Sequence, residues 1–133
     1  MGELYYGERV RKPWSRGTEN LINALKFKDT VVEVKVIDEQ ILKIMRKDMY
    51  SDILLYIVDA YVLGEGATLK IISDNPQINA ILVVSNWNEY THEAKELARL
   101  KNIAVFTFKE LMGAIYYNGE KFINYKTPEH NNE

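Results

Sequence analysis

The chain is predicted to fold as a single α/β domain on a mixed sheet whose C-terminal half is parallel, with helices on both faces. Three observations carry that prediction. Ala80 to Ser85 and Ile103 to Thr107 are continuous apolar runs rich in β-branched residues, the pattern of strands buried on both faces of a parallel sheet. Between them, Thr91 to Asn102 reads as a helix of the length that joins parallel strands by a right-handed crossover. Upstream, Thr30 to Ile37 alternates between Val32, Val34 and Val36 on one side and Val31, Glu33, Lys35 and Ile37 on the other, as a strand does.

The elements follow in chain order. Residues 1–17 form a basic aromatic arm, in which Arg9, Arg11, Lys12 and Arg16 surround Pro13 and Trp14. Residues 18–126 form the folded domain, and the polar stretch 127–133 is a frayed tail. Thr18 caps a helix from Glu19 to about Phe27, with Leu21, Ile22, Ala24 and Leu25 on one stripe. After the alternating strand, Asp38 caps a second helix beginning Glu39 to Met45. Residues 51–63 support two readings. The spacing of Leu54, Ile57, Val58, Tyr61 and Val62 favours a helix capped by Ser51 and ended by Gly64. Read as a strand instead, the same residues turn at Gly64-Glu-Gly66 and return through Ala67 to Ile72. Pro76 breaks what precedes the strand at Ala80. In the crossover helix, Thr91 is the N-cap, Ala94, Leu97 and Ala98 face inward, and Asn102 takes the left-handed C-terminal position. Thr107-Phe-Lys-Glu110 has capping-box spacing and starts a short helix to about Ile115. Asn118-Gly119 is a turn signal that joins two short edge strands carrying Tyr116, Tyr117, Phe122 and Tyr125.

Composition narrows the chemistry. The 133 residues contain no cysteine, which removes disulfides, thiolate metal sites and cysteine nucleophiles. Histidine occurs only at positions 92 and 130, so the plausible metal ligands are carboxylates, which favour Mg²⁺ or Mn²⁺. Net charge is −2, so nucleic-acid binding must come from a local patch. No apolar run approaches membrane-spanning length and no signal-peptide pattern opens the chain, so a cytoplasmic protein with no membrane partner is expected. The absence of a Gly-x-Gly-x-x-Gly or Walker loop argues against a dinucleotide or ATP site.

Three constellations carry chemistry. Alternation puts Glu33 and Lys35 on one strand face, about 7 Å apart. A carboxylate there can ligate Mg²⁺ while the ammonium orients the attacking water or the phosphate. The plainer reading is a solvated strand face with one acid and one base. The arm offers arginines that fork onto phosphates, and Trp14 to stack on a base. The plainer alternative is a segment folded over the core. Four phosphate contacts would give a log–log salt slope of about −3 to −4. The loop Ser85-Asn-Trp-Asn-Glu-Tyr90 follows a parallel strand and leads into a helix start, where open α/β sheets place ligands. Asn86 and Trp87 would contact the phosphate or base there. Alternatively, the loop caps the helix. His92, on the first turn of that helix, is read as a surface residue rather than a general base.

A helix with an early glutamate (Gly17-Thr-Glu19), a Glu33-Val-Lys35 strand and the module Ala80–Leu111 together resemble the restriction-endonuclease-like, or PD-(D/E)XK, nuclease superfamily, in particular Mrr-like domains. The resemblance covers roughly residues 17–115. It implies a Mg²⁺- or Mn²⁺-dependent nuclease-like domain that binds and cleaves DNA in preference to RNA, with Glu33 as metal ligand, Lys35 as orienting cation and Glu19 as auxiliary acid. In that family a metal-binding aspartate lies on a strand ahead of the Glu-x-Lys strand, and only Lys28 and Asp29 separate the first helix from Thr30. A second alignment takes Asp52 as the metal ligand and Thr68-Leu-Lys70 as a degraded Glu-x-Lys strand. Each alignment leaves one carboxylate missing or displaced. The rival expectation is therefore an inactive nuclease-fold module serving nucleic-acid binding or protein assembly. A third reading is a Rossmann-like domain holding a small anion at the Ser85–Thr91 loop. Exposed aromatics at the C-terminal edge hairpin suggest a homodimer.

Overall fold

The apolar runs that read as buried strands form the middle of the molecule. The structure, a computed structural model, describes residues 10–11, 15–84 and 89–127. The elements are β1 (Val10–Arg11), α1 (Ser15–Lys26), β2 (Val31–Asp38), β3 (Ile41–Arg46), β4 (Ile53–Ala60), β5 (Val62–Leu63), α2 (Glu65–Asp74), β6 (Ala80–Val83), β7 (Glu89–Tyr90), α3 (His92–Leu100), β8 (Ala104–Thr107), α4 (Phe108–Ala114) and α5 (Gly119–Ile123). The main sheet runs β2-β3-β4-β6-β8. Strands β2, β3 and β4 form an antiparallel meander, and β4, β6 and β8 are parallel. This is the expected mixed sheet with a parallel C-terminal half.

Two apolar layers cover it. On one face α2 and α3 pack Ala67, Ile71, Ile72 and Ala98 onto Tyr56, Val58, Ile81, Val83 and Val105. On the other, α1, α4 and α5 pack Leu21, Leu25, Leu111, Ala114 and Phe122 onto Leu42, Ile44, Leu55, Ile57, Leu82 and Phe106. β6 is buried at all four positions, because helices cover both of its faces. The crossover helix has the expected ends, but its buried residues are Ala94, Lys95 and Ala98, with Leu97 half-buried. Thr91 accepts a hydrogen bond from the Ala94 N–H, and Asn102 has φ 63°. Thr107 and Glu110 complete a reciprocal capping box.

Several expectations are corrected. Residues 39–45 are not helical: they lie in a hairpin whose return strand is β3. The Asp38 carboxylate does accept from the Gln40 N–H at 2.8 Å, but that bond closes a turn as readily as it caps a helix. The favoured helix over 51–63 is strand β4, buried at Ile53, Leu55, Tyr56, Ile57, Val58 and Ala60. An unbroken apolar run satisfies i, i+3, i+4 spacing by accident, so periodicity could not decide. Ala67 to Ile72 is not a returning strand. It lies in α2, whose N-cap is Gly64 at φ −99° and ψ 179°. α1 starts at Ser15, so the arm is shorter than residues 1–17. Asn118-Gly119 joins no hairpin: Gly119, at φ 60°, opens α5, and Phe122 is buried. Thr127 is buried rather than frayed. Among the described residues no helix is long and apolar enough to cross a membrane.

Candidate functional site

The Glu-x-Lys pair lies on β2, the outermost strand of the meander. Glu33 and Lys35 are both exposed. Register puts Glu33 opposite Met45 and Lys35 opposite Lys43. Asp52 is exposed, lies just ahead of β4 rather than on it, and pairs with Lys43 at 3.9 Å. Glu19 is exposed on α1, and Thr68-Leu-Lys70 lies within α2, not on a strand. Among the described residues no three His, Asp or Glu side chains are grouped to hold a metal ion. The predicted acids are therefore not brought together with one another there.

Of the residues predicted to contact nucleic acid, Arg9, Lys12, Trp14, Asn86 and Trp87 lie outside the described residues. Arg11 belongs to β1 and Arg16 to α1. Their backbone placement is informative. β1 pairs antiparallel with the carboxyl end of β4, with Val10 opposite Ala60 and Arg11 opposite Asp59. At the same end β5 and β7 form a parallel ladder, and the Thr91 N–H donates to Leu63 O at 2.9 Å. The flanks of the Ser85–Tyr90 loop, Val84 and Glu89, are held by Val58 O and Tyr61 O at 3.1 and 3.4 Å. Val10 and Arg11, and the residues that flank positions 85–88, are thus held at one end of the sheet although far apart in sequence. The starts of α2, α3 and α4 lie there as well, because each follows a strand of the parallel half.

A second cluster was not anticipated. The buried Glu110 carboxylate, already accepting from the Thr107 N–H at 3.0 Å, also accepts from the Tyr90 hydroxyl, 2.9 and 2.8 Å from its two oxygens. Burial, then the negative charge of Glu110, raises the Tyr90 pKa far above its ordinary value. Lys95, only 8% exposed, donates to Val105 O at 2.7 Å and sits over the rings of Tyr90 and Phe106. Burial pushes its pKa down to about 8, partly opposed by Glu110. Val105 is on β8, the last strand of the sheet, so the ammonium caps a carbonyl on an open edge. A cleft of about 580 Å³ opens beside this cluster, lined by Tyr90, His92 and Lys95, the Glu96–Arg99 ion pair, Asn124 and Lys126. Thr107–Glu110 and Tyr90 each carried a sequence signal, but nothing in the sequence linked them. Lys95 shares the inward stripe of Ala94 and Ala98, where a lysine reads as a solvated neighbour.

Arg46 is a further buried cation. Its guanidinium donates to Ser51 O, Ile115 O, Tyr117 O and Asn118 Oδ1 at 2.7–3.0 Å, which ties the β3–β4 turn to the carboxyl end of α4. Asn118 Nδ2 donates back to Met49 O at 2.7 Å. These bonds occupy the guanidinium and make it a structural clamp beside a small recess of about 130 Å³ that Asp52 also lines. Comparison with protein-family models, curated proteins and solved structures gives no match for the chain.

Proposed function

We propose that this chain is a nucleic-acid-binding module of restriction-endonuclease-like fold that does not hydrolyse its ligand through Glu33 and Lys35. The observation that carries the reading is the register of β1, which sets Arg11 opposite Asp59 at the carboxyl end of β4. The resemblance calls for an acid, one residue, then lysine on a strand that follows another strand. Here β4 follows β3 and ends in Asp59-Ala60, and the next residue, just past the strand, is Tyr61 in place of the amine. Val10 and Arg11 are held at that same place. The only Glu-x-Lys triplet on the sheet lies instead on β2, with no strand of the meander ahead of it.

Residues 9–16 hold four basic side chains and no acid, a local positive segment in a chain of net charge −2. Glu65, Glu89 and Glu93 are exposed around the same end of the sheet, so the arm is the segment there that carries positive charge without acids of its own. Binding then depends on few contacts and is salt-sensitive. DNA is preferred as ligand to RNA, on the resemblance alone. A Mg²⁺ or Mn²⁺ cofactor belongs to the hydrolytic alternative, which needs Glu33 and a second acid to share an ion.

Fluorescence anisotropy with labelled single- and double-stranded DNA in Mn²⁺, across a salt series, tests the reading. Wild type is expected to bind with a log–log slope of about −3 to −4. The triple variant Arg9→Ala/Arg11→Ala/Lys12→Ala is expected to lose most of that slope, and the DNA to remain uncut. Unchanged binding by the triple variant overturns the arm assignment. Cleavage that Glu33→Ala/Lys35→Ala abolishes restores the hydrolytic reading.

A further inference from the structure

The two long edges of the main sheet are treated differently. At β8 the Lys95 ammonium occupies Val105 O, and the strand has only four residues. At β2 the strand has eight residues, and among the described residues no strand pairs with its outer side. Val32, Val36 and Ile37 are 66%, 61% and 52% exposed there. An open edge with apolar side chains is a template for another strand.

The sequence of that edge is self-complementary. Val32-Glu-Val-Lys-Val36 is symmetric in polarity about Val34. Two such strands laid antiparallel about a twofold axis at Val34 set each Glu33 opposite the second copy's Lys35 and each Val32 opposite the second copy's Val36. Directly opposed residues of an antiparallel pair share a face, so both ion pairs form on the side where Glu33 and Lys35 already lie. Within one chain, neither of these two charges faces an opposite charge across the β2–β3 ladder among the described residues. Lys35 is opposite another cation, Lys43, whose acid is Asp52, and Glu33 is opposite Met45. Like charges placed directly across a ladder repel, so an incoming carboxylate relieves a conflict that the single chain leaves in place.

We propose that β2 is a homodimerisation edge, joining two copies antiparallel about Val34 through reciprocal Glu33–Lys35 ion pairs. The register shift between Val31 and Glu33 takes in Val32 and the one between Val36 and Asp38 takes in Ile37, so the regular stretch runs from Glu33 to Val36 and the Glu33–Lys35 pairs are its centre. Bulges interrupt a ladder, so the new pairing is short and the dimer weak, with dissociation at about micromolar concentration or above. The surface differs from the aromatic C-terminal edge expected from sequence, and the inference does not rest on nucleic-acid binding.

Sedimentation velocity over a wide range of protein concentration, without nucleic acid, tests it. Wild type is expected to show reversible dimerisation that weakens as salt rises. Glu33→Lys sets lysine opposite lysine and is expected to raise the dissociation constant at least about tenfold. The double exchange Glu33→Lys/Lys35→Glu makes the strand self-complementary again and is expected to recover dimerisation. All three proteins should give the same circular dichroism, because both side chains are exposed. A wild type that stays monomeric to millimolar concentration, a single variant that dimerises like wild type, or a double exchange that recovers nothing overturns the proposal.

Discussion

The Tyr90 hydroxyl donates to the Glu110 carboxylate, 2.9 and 2.8 Å from its two oxygens, and so ties the entry of α3 to the start of α4. Glu110 is 1% exposed, so few other donors can reach it. Tyr90→Phe removes one of them while keeping the ring that packs beside Lys95. The expected loss is about 1–3 kcal/mol of unfolding free energy, measured by urea denaturation. A change below about 0.5 kcal/mol, within the range of ordinary surface substitutions, would mean the bond contributes nothing net.

Lys95 should impose a pH dependence on stability. Its folded pKa of about 8 lies below the ordinary 10.5, so the unfolded chain holds the proton more tightly. The cost of burying the charge is fully present below pH 8 and is relieved as pH rises from 8 to 10.5. Tyr90, with a raised pKa, works the other way above pH 10, but it is common to both proteins compared. Relative to Lys95→Met, wild type should therefore gain on the order of 2 kcal/mol between pH 7 and pH 10. A flat difference across that window contradicts the burial of this ammonium.

Arg46 should be hard to replace even by another cation. Lysine has one nitrogen, and it cannot reach Ser51 O, Ile115 O, Tyr117 O and Asn118 Oδ1 together. Arg46→Lys is expected to cost about 3 kcal/mol, and Asn118→Ala about 1–2 kcal/mol, by denaturant unfolding. Because the two share a hydrogen bond, their effects should be less than additive in the double variant. Strict additivity would mean that the clamp is not one unit.

What was legible follows from how local each signal is. Thr91, Asn102 and the Thr107–Glu110 box act within a few residues, and all three perform as the sequence suggests. Ala80 to Val83 and Ala104 to Thr107 lie within short apolar runs that open after Asn79 and Asn102, so the sequence shows where the strands lie. β3 and β4 carry no clear strand signal because side chains buried on both faces erase the alternation that marks a strand. Gly64 and Gly66 suggested a turn, yet Gly64 caps α2, a role that depends on where β4 ends. The site was less legible still. The Tyr90–Glu110 and Arg46–Asn118 bonds span 20 and 72 positions and leave no periodic trace. Glu33-Val-Lys35 was visible, but its meaning turns on which strand of the sheet carries it, and only topology supplies that.

The most direct test of the central claim is to map amide chemical-shift changes when a short DNA duplex is added to isotope-labelled protein. Binding at the carboxyl end of the sheet predicts changes at Val10 and Arg11, at Val58 to Tyr61 and at Glu89 to His92. The amides of Glu33, Lys35, Lys43 and Asp52 should stay still. Changes centred on those four, with the carboxyl end silent, would contradict the account and return the nucleic acid to the predicted hydrolytic pair.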